Sequence, residues 1–374
     1  MQSKNIGYIG KLDHLRFLAA FTVIEYHADI WFRGIGAPRE WLPLPLFHRG
    51  YTGVALFMVL SGMILSAITY EREIDTLRFY LNRILRIYPL FVFVVALGYF
   101  ATPDPRETSA GLDFLLALLP ISNLYRLHYG LYGGVLFSVA IELQFYLLFP
   151  ALLLFIRRYG RWYVPAVIGG LIGLRAAVYF LGGAIHDVAY FSLFGALDIF
   201  LIGMLAGELY RRGGRDVPGW AVLLAFILVN AIIYGAHLHR SFFNFDFDHV
   251  TPDGVSRSGV WILWPTVEGL MFAAFALTYL RSRWQVPFAG AFAYLGKISY
   301  SLYVWHTIVF LLAVHWRLRF LPPFEMGALV VLPATVAIAA ASYKLIEEPF
   351  LSLRVRYLRE APAPQPAIRA TVDA

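Results

Sequence analysis

Residues 52–70 read TGVALFMVLSGMILSAITY, a run with no charged side chain. At 1.5 Å rise per residue, a helix of this length reaches across the roughly 30 Å hydrocarbon core of a bilayer. In lipid, backbone N–H and C=O groups must bond within their own segment, so the run predicts a membrane-spanning helix. Working outward, nine more segments read the same way, near 14–31, 87–102, 134–156, 162–181, 190–210, 218–236, 258–280, 298–316 and 325–343. The predicted fold is all-α, a polytopic transmembrane helical bundle of about ten spans. The third span is short. Leu112–Leu124, interrupted by Pro120, reads as an eleventh span or a re-entrant piece.

Composition agrees. The 374 residues are 59% hydrophobic and 15% charged, against about 45–50% and 25% in soluble domains. The chain has no cysteine, which excludes disulfides, thiolate metal sites and cysteine nucleophiles. The first apolar stretch carries Arg16 and His27 and no small-residue cleavage site, so it reads as a retained span, not a signal peptide. The net charge of +7 reads as topology and not as nucleic-acid binding. With ten spans, 21 of the 31 basic residues fall on the side that holds both ends of the chain. Cytoplasmic loops are enriched in Lys and Arg, so both termini are expected in the cytoplasm.

Residues 1–350 form the expected transmembrane domain, and 351–374 a cytoplasmic tail with a Pro/Ala-rich, disordered end. The longest loops, around 32–51, 103–133 and 237–257, face outward. In the last of them Asn244, Asp246, Asp248, His249 and Asp253 accompany Phe242, Phe243 and Phe245. Such groups stack on and hydrogen-bond a sugar, or simply solvate a loop. No spacing fixes a metal site.

Ionisable groups inside spans are costly and mark function. Glu25, His27, Glu142, Arg175, Asp198, Glu268 and His306 fall there. Any one of them reads equally as half of a structural ion pair. Together they point to a polar cavity. Arg16 and His27 are eleven residues apart, about 20° from whole turns, so they share one helix face about 16 Å apart along the axis. Arg83 and Arg86, at i and i+3, form a guanidinium fork suited to phosphate, or ordinary positive-inside charge. Ser138 and Glu142 share a face of the fourth span. The glutamate there could orient an imidazolium, hold a hydroxyl substrate, or pair helices. Tyr300 and His306 lie in the segment Ile298–His306, where packing competes with function.

Leu12–Ala20 running to His27 resembles the opening of the acyltransferase-3 family, which carries Arg or Lys, ten residues, then His in its first span. Gly53–Gly62 is similar to its second-span signature. Arg83–Pro89 resembles its Arg-x-x-Arg motif and Phe137–Tyr146 its Ser-x-x-x-Glu segment. Leu295–His306 and Ile346–Phe350 resemble its late motifs. The matches run in family order over residues 11 to 350. The pattern departs at His14, Phe137, Ala140 and Leu143, where the family commonly has Gly, Trp, Ser and Glu. The chain is expected to end without the periplasmic hydrolase-like domain of some members.

The resemblance implies an O-acyltransferase of the bacterial inner (plasma) membrane. The implied co-substrate is acyl-CoA, with acetyl or succinyl as the acyl group and no bound cofactor or metal. The implied acceptor is a hydroxyl of a carbohydrate or lipid-linked glycan. His27 and Glu142 are then the expected catalytic pair. Arg16, Arg83 and Arg86 are expected on the CoA phosphates, and Ser138, Tyr300 and His306 on substrate. A transporter or flippase-like protein is the alternative, though no inverted repeat is seen. A pure scaffold would not need Arg16 and His27 on one face.

Overall fold

The computed structural model describes residues 7–36, 44–101, 110–121, 123, 135–237 and 258–359. Among these, helices and two isolated backbone bridges form, and no strand. The main helices are α1 (Gly10–Gly34), α2 (Gly53–Thr69), α3 (Thr76–Ala101), α4 (Leu136–Tyr159), α5 (Tyr163–Phe180), α6 (Leu193–Arg211), α7 (Gly219–His237), α8 (Trp264–Arg281), α9 (Ala289–Lys297) and α10 (Ser299–His315). A last helical run, α11 (Pro323–Ser352), passes through two wider π turns.

Seven of the described helices, α2 to α7 and α11, are long and apolar enough to cross a membrane. An eighth is added if α9 and α10, bent by 74° where they meet, count as one span. Helices stand at the two remaining predicted positions as well, but α1 carries Lys11, Asp13, Arg16, Glu25 and Asp29, and α8 carries Glu268 and Arg281. The molecule is a multi-pass membrane protein in which the polar α1 is shielded by protein. It packs against α2, α9, α10 and the start of α11.

The tightest pairing joins α2 to α6, and small residues permit it. A Cβ at Gly203 would stand 2.3 Å from the carbonyl oxygen of Val59, and one at Gly207 2.2 Å from that of Met63. This small-xxx-small spacing lets two backbones meet without side chains between them. At the periphery, α7 leaves Leu223, Leu224, Ile227 and Leu228 exposed, an apolar face suited to lipid.

Three sequence expectations change. The third span is not short: α3 starts at Thr76, where the Asp75 carboxylate accepts from the Arg78 backbone N–H at 3.1 Å and caps the helix. Arg83 and Arg86 therefore lie inside α3, with Pro89 in its interior. The predicted span 298–316 is one limb of a bent pair. Within Leu112–Leu124 the described helix is Ala110–Ala117, whose eight residues cover only about 12 Å and do not cross a bilayer. The loop residues Asn244, Asp246, Asp248, His249 and Asp253, and the tail beyond Arg359, lie outside the described residues.

Candidate active site

A cavity of about 190 Å³ opens among α1, α2, α3, α4 and α10. Arg16, Arg83, Arg86 and Arg354 bring four guanidiniums to its wall, against one carboxylate, Glu142. Each cation is held differently. Arg16 pairs with Asp13 one turn earlier at 3.2 Å. Arg86 pairs with the buried Glu347 at 3.2 Å, lies 5.8 Å from the Tyr300 ring centre, and leaves the other Glu347 oxygen to the Ser301 hydroxyl. Arg83 lies over the rings of Phe79 and Tyr146, at 5.6 and 5.4 Å. Arg354 follows α11 and donates from Nε to the Leu351 carbonyl at 3.2 Å. Burial, then the like charges of Arg86, Arg83 and Arg16, lower its guanidinium to about 10, still protonated near neutrality. Among the described residues Arg83 and Arg354 have no carboxylate partner. This excess of positive charge in a walled space attracts a multiply charged anion.

Glu142 is fixed by donors. The Ser61 hydroxyl donates to its Oε1 at 2.7 Å, and the Tyr146 hydroxyl donates to the same oxygen. Ser138 bonds the Val135 carbonyl at 3.0 Å and the Tyr303 hydroxyl at 2.7 Å. The Tyr300 hydroxyl donates to the Ile87 carbonyl at 3.1 Å. Ser61, Ser138, Glu142, Tyr146, Tyr300 and Tyr303 all line the cavity.

His27 lies farther along α1, on the face that carries Arg16. Its Nδ1 is 2.9 Å from the Val23 carbonyl and 3.2 Å from Nε2 of His306. His306 Nδ1 lies 2.5 Å from the Tyr303 carbonyl, which can only accept. That contact assigns the His306 proton to Nδ1 and leaves its Nε2 as an acceptor. The His27 proton then sits on Nδ1, shared between Val23 and His306. Nε2 of His27 keeps its lone pair, with no hydrogen-bond partner among the described residues. Such a nitrogen can accept a proton from a hydroxyl. Tyr303 links the two regions. It lines the cavity, and its ring centre lies 5.7 Å from that of His306.

Arg16, Arg83, Arg86, Ser138, Glu142 and Tyr300 are thus brought together, and two expected roles shift. The hydrogen bonds of Glu142 among the described residues come from Ser61 and Tyr146, not from His27, and the ring beside His27 is His306. His306 is 0% exposed and, like His27, outside the cavity wall; the contact the structure gives its Nε2 there is His27 at 3.2 Å. The seven intramembrane ionisable groups do not form one cavity either. Arg175 and Asp198, both 0% exposed, pair at 2.8 Å, and Thr266 donates to the same carboxylate oxygen. Of the seven only Glu142 is in the cavity wall. Among the described residues no cluster of His, Asp and Glu could hold a metal ion.

Sequence reasoning missed Arg354, Tyr303, Ser61 and Glu347. Glu347, Ser61 and Tyr303 stood within motifs that were recognised without roles for these residues. Arg354 carried no signal beyond its charge.

Comparison with known proteins finds related sequences. The acyltransferase-domain profile matches residues 9–344. The chain is 25% identical to peptidoglycan O-acetyltransferase OatA of Listeria monocytogenes, over 91% of this chain and 56% of that protein. It is 26% identical to nodulation protein 10 of Rhizobium leguminosarum bv. viciae, over 93% of this chain and 95% of that protein. Relatives from Staphylococcus aureus match 96% of this chain at 23% identity, and the chain spans 60% of their length. No solved structure matches. The profile covers Arg16, His27, Arg83, Arg86, Ser138, Glu142 and His306 in one continuous match, and the chain belongs to the acyltransferase-3 family.

Proposed function

We propose that this protein is a membrane O-acyltransferase that moves an acyl group from acyl-CoA to a hydroxyl of a cell-envelope or exported carbohydrate. One observation carries the reading: an unprotonated imidazole nitrogen, on His27, about 16 Å along one helix face from Arg16, one of four arginines in a cavity wall. The names of the relatives, O-acetyltransferase and peptidoglycan O-acetyltransferase, support an envelope carbohydrate as acceptor. Acetyl is the first acyl group to test and succinyl the second.

In this reading the CoA phosphates meet Arg16, Arg83 and Arg86, and the pantetheine arm runs along α1 toward His27. Nε2 of His27 takes the proton of the acceptor hydroxyl as its oxygen attacks the thioester carbonyl. The carbon–sulfur bond breaks, and the CoA thiolate receives the proton from His27. His306 keeps the acceptor nitrogen aimed at the hydroxyl. Glu142 shapes the cavity wall. General-base catalysis contributes roughly 10²–10⁴-fold. Family membership counts against the transporter alternative.

The test is transfer of radiolabel from acetyl-CoA into native envelope extract, by membranes holding wild type or His27→Ala. Label that appears with wild type, is released by mild base and is lost in the variant supports O-acetyl transfer. Equal labelling by both proteins removes His27 from the mechanism. Absence of label with acetyl-CoA, followed by its appearance with succinyl-CoA, reassigns the acyl group.

A further inference from the structure

We propose that Arg354 is a phosphate-binding residue of the donor site, delivered to the cavity by a strap of chain, residues 353–359, that folds back from the end of α11 onto the start of α3. The inference rests on the acyl-CoA reading above and names a donor contact absent from it.

The strap is pinned at several points. Asn82, buried inside α3, clamps Val355 from both sides. Its side-chain amide donates to the Val355 carbonyl at 2.6 Å, and its oxygen accepts the Val355 N–H at 2.9 Å. Farther on, Ile74 and Leu358 form an antiparallel bridge. The Asp75 N–H reaches the Tyr357 carbonyl at 2.8 Å, and the Arg359 N–H the Glu73 carbonyl at 3.0 Å. Tyr357, 1% exposed, packs its ring 5.5 Å from Phe79. Anchoring of this density fixes the backbone just after Arg354, as the end of α11 does just before it, and Arg354 stands in the wall that also holds Arg16, Arg83 and Arg86.

Placing it there costs energy in the empty protein. Like charges face one another, and no carboxylate among the described residues neutralises Arg83 or Arg354. Arg16 and Arg86, by contrast, each have an acid partner. Four guanidiniums against Glu142 in the wall, with Asp13 and Glu347 paired to two of them, leave an excess of positive charge that fits an anionic ligand. The phosphorylated nucleotide end of CoA has that chemistry, and the pantetheine arm has none of it. Arginine suits phosphate because its planar fork of donors matches the phosphate oxygens.

The test is titration of purified protein in lipid nanodiscs with CoA and with pantetheine, independent of acyl transfer. Arg354→Gln, at a partly exposed position that tolerates the change, is expected to weaken CoA binding about tenfold or more. Pantetheine binding should stay as in wild type. Arg354→Lys should recover part of the loss. Asn82→Leu removes both clamp bonds outside the cavity and should reproduce the Arg354→Gln defect. Unchanged CoA affinity in a folded Arg354→Gln protein overturns the proposal, as does an equal loss for pantetheine. If wild type binds no CoA, the donor reading fails on its own, and pyrophosphate decides the role of Arg354. Pyrophosphate binding that Arg354→Gln weakens upholds an anion site; no binding, or binding the variant does not weaken, overturns it.

Discussion

At the residue scale the centre is a pair of imidazoles with complementary tautomers. His27 needs its proton on Nδ1 so that Nε2 can act as a base, and the buried His306 favours that arrangement by presenting a lone pair at 3.2 Å. A positioning residue of this kind should move kcat more than KM. His306→Leu is expected to lower kcat about 10- to 100-fold with KM for acyl-CoA near wild type. His306→Gln, whose side-chain oxygen can accept from the same Nδ1, should restore part of the loss. Steady-state kinetics of the three proteins check this. If the two His306 variants lose activity equally, no acceptor role is needed at that position. The common face of Arg16 and His27 was legible in the sequence because helix geometry alone sets it. The partnership of His27 with His306 was not, because 279 residues separate them and periodicity does not say which helices adjoin. For the same reason Glu142 was linked to His27 when its partners are Ser61 and Tyr146.

At the element scale the helices hold together by two devices that differ in cost. Between α2 and α6 the contact is backbone to backbone, so Gly207→Val forces Met63 away and should separate the pair. The expected outcome is loss of the monodisperse peak in size-exclusion chromatography, where an alanine-to-valine change on the lipid-facing side of α7 leaves it intact. Between α5 and α6 the device is the Arg175–Asp198 ion pair, deep in the protein and joined by Thr266 from α8. Removing one partner leaves an uncompensated buried charge, so Arg175→Met should destabilise by about 3–5 kcal/mol. The double variant Arg175→Met with Asp198→Leu should lose clearly less, which thermal melts of the detergent-solubilised proteins will read. Hydropathy located a helix at every predicted span, because burying backbone in lipid demands long apolar runs. It misjudged the start of α3, since a span edge was placed after Arg86 where Asp75 in fact caps the helix ten residues or more earlier. It also overlooked the bend between α9 and α10, which no proline marks.

At the scale of the whole molecule, the four cavity arginines mark the face proposed to receive the donor. Arg16, Arg83, Arg86 and Arg354 all belong to the set that the charge count assigned to one side, and they meet in one cavity. On the expected ten-span layout the positive-inside rule makes that side cytoplasmic, and we propose that orientation. In the proposed function acyl-CoA, anionic and unable to cross a bilayer unaided, then enters from that side. His27 lies about 16 Å deeper along α1, roughly half the thickness of the hydrocarbon core. In the same proposal the acceptor hydroxyl approaches from the opposite face, as suits a glycan destined for the outside of the cell. Vesicles of defined orientation separate the two faces. Inverted vesicles given radiolabelled acetyl-CoA externally, with acceptor sealed inside, are expected to become labelled, and right-side-out vesicles only after permeabilisation. The opposite pattern would place both termini outside the cytoplasm and overturn the assigned orientation. Arg354→Gln in inverted vesicles should raise the acetyl-CoA concentration needed for half-maximal labelling about tenfold or more, while the acceptor concentration needed stays unchanged. A donor site and an acceptor site on opposite faces, joined only through His27, predict that separation of effects.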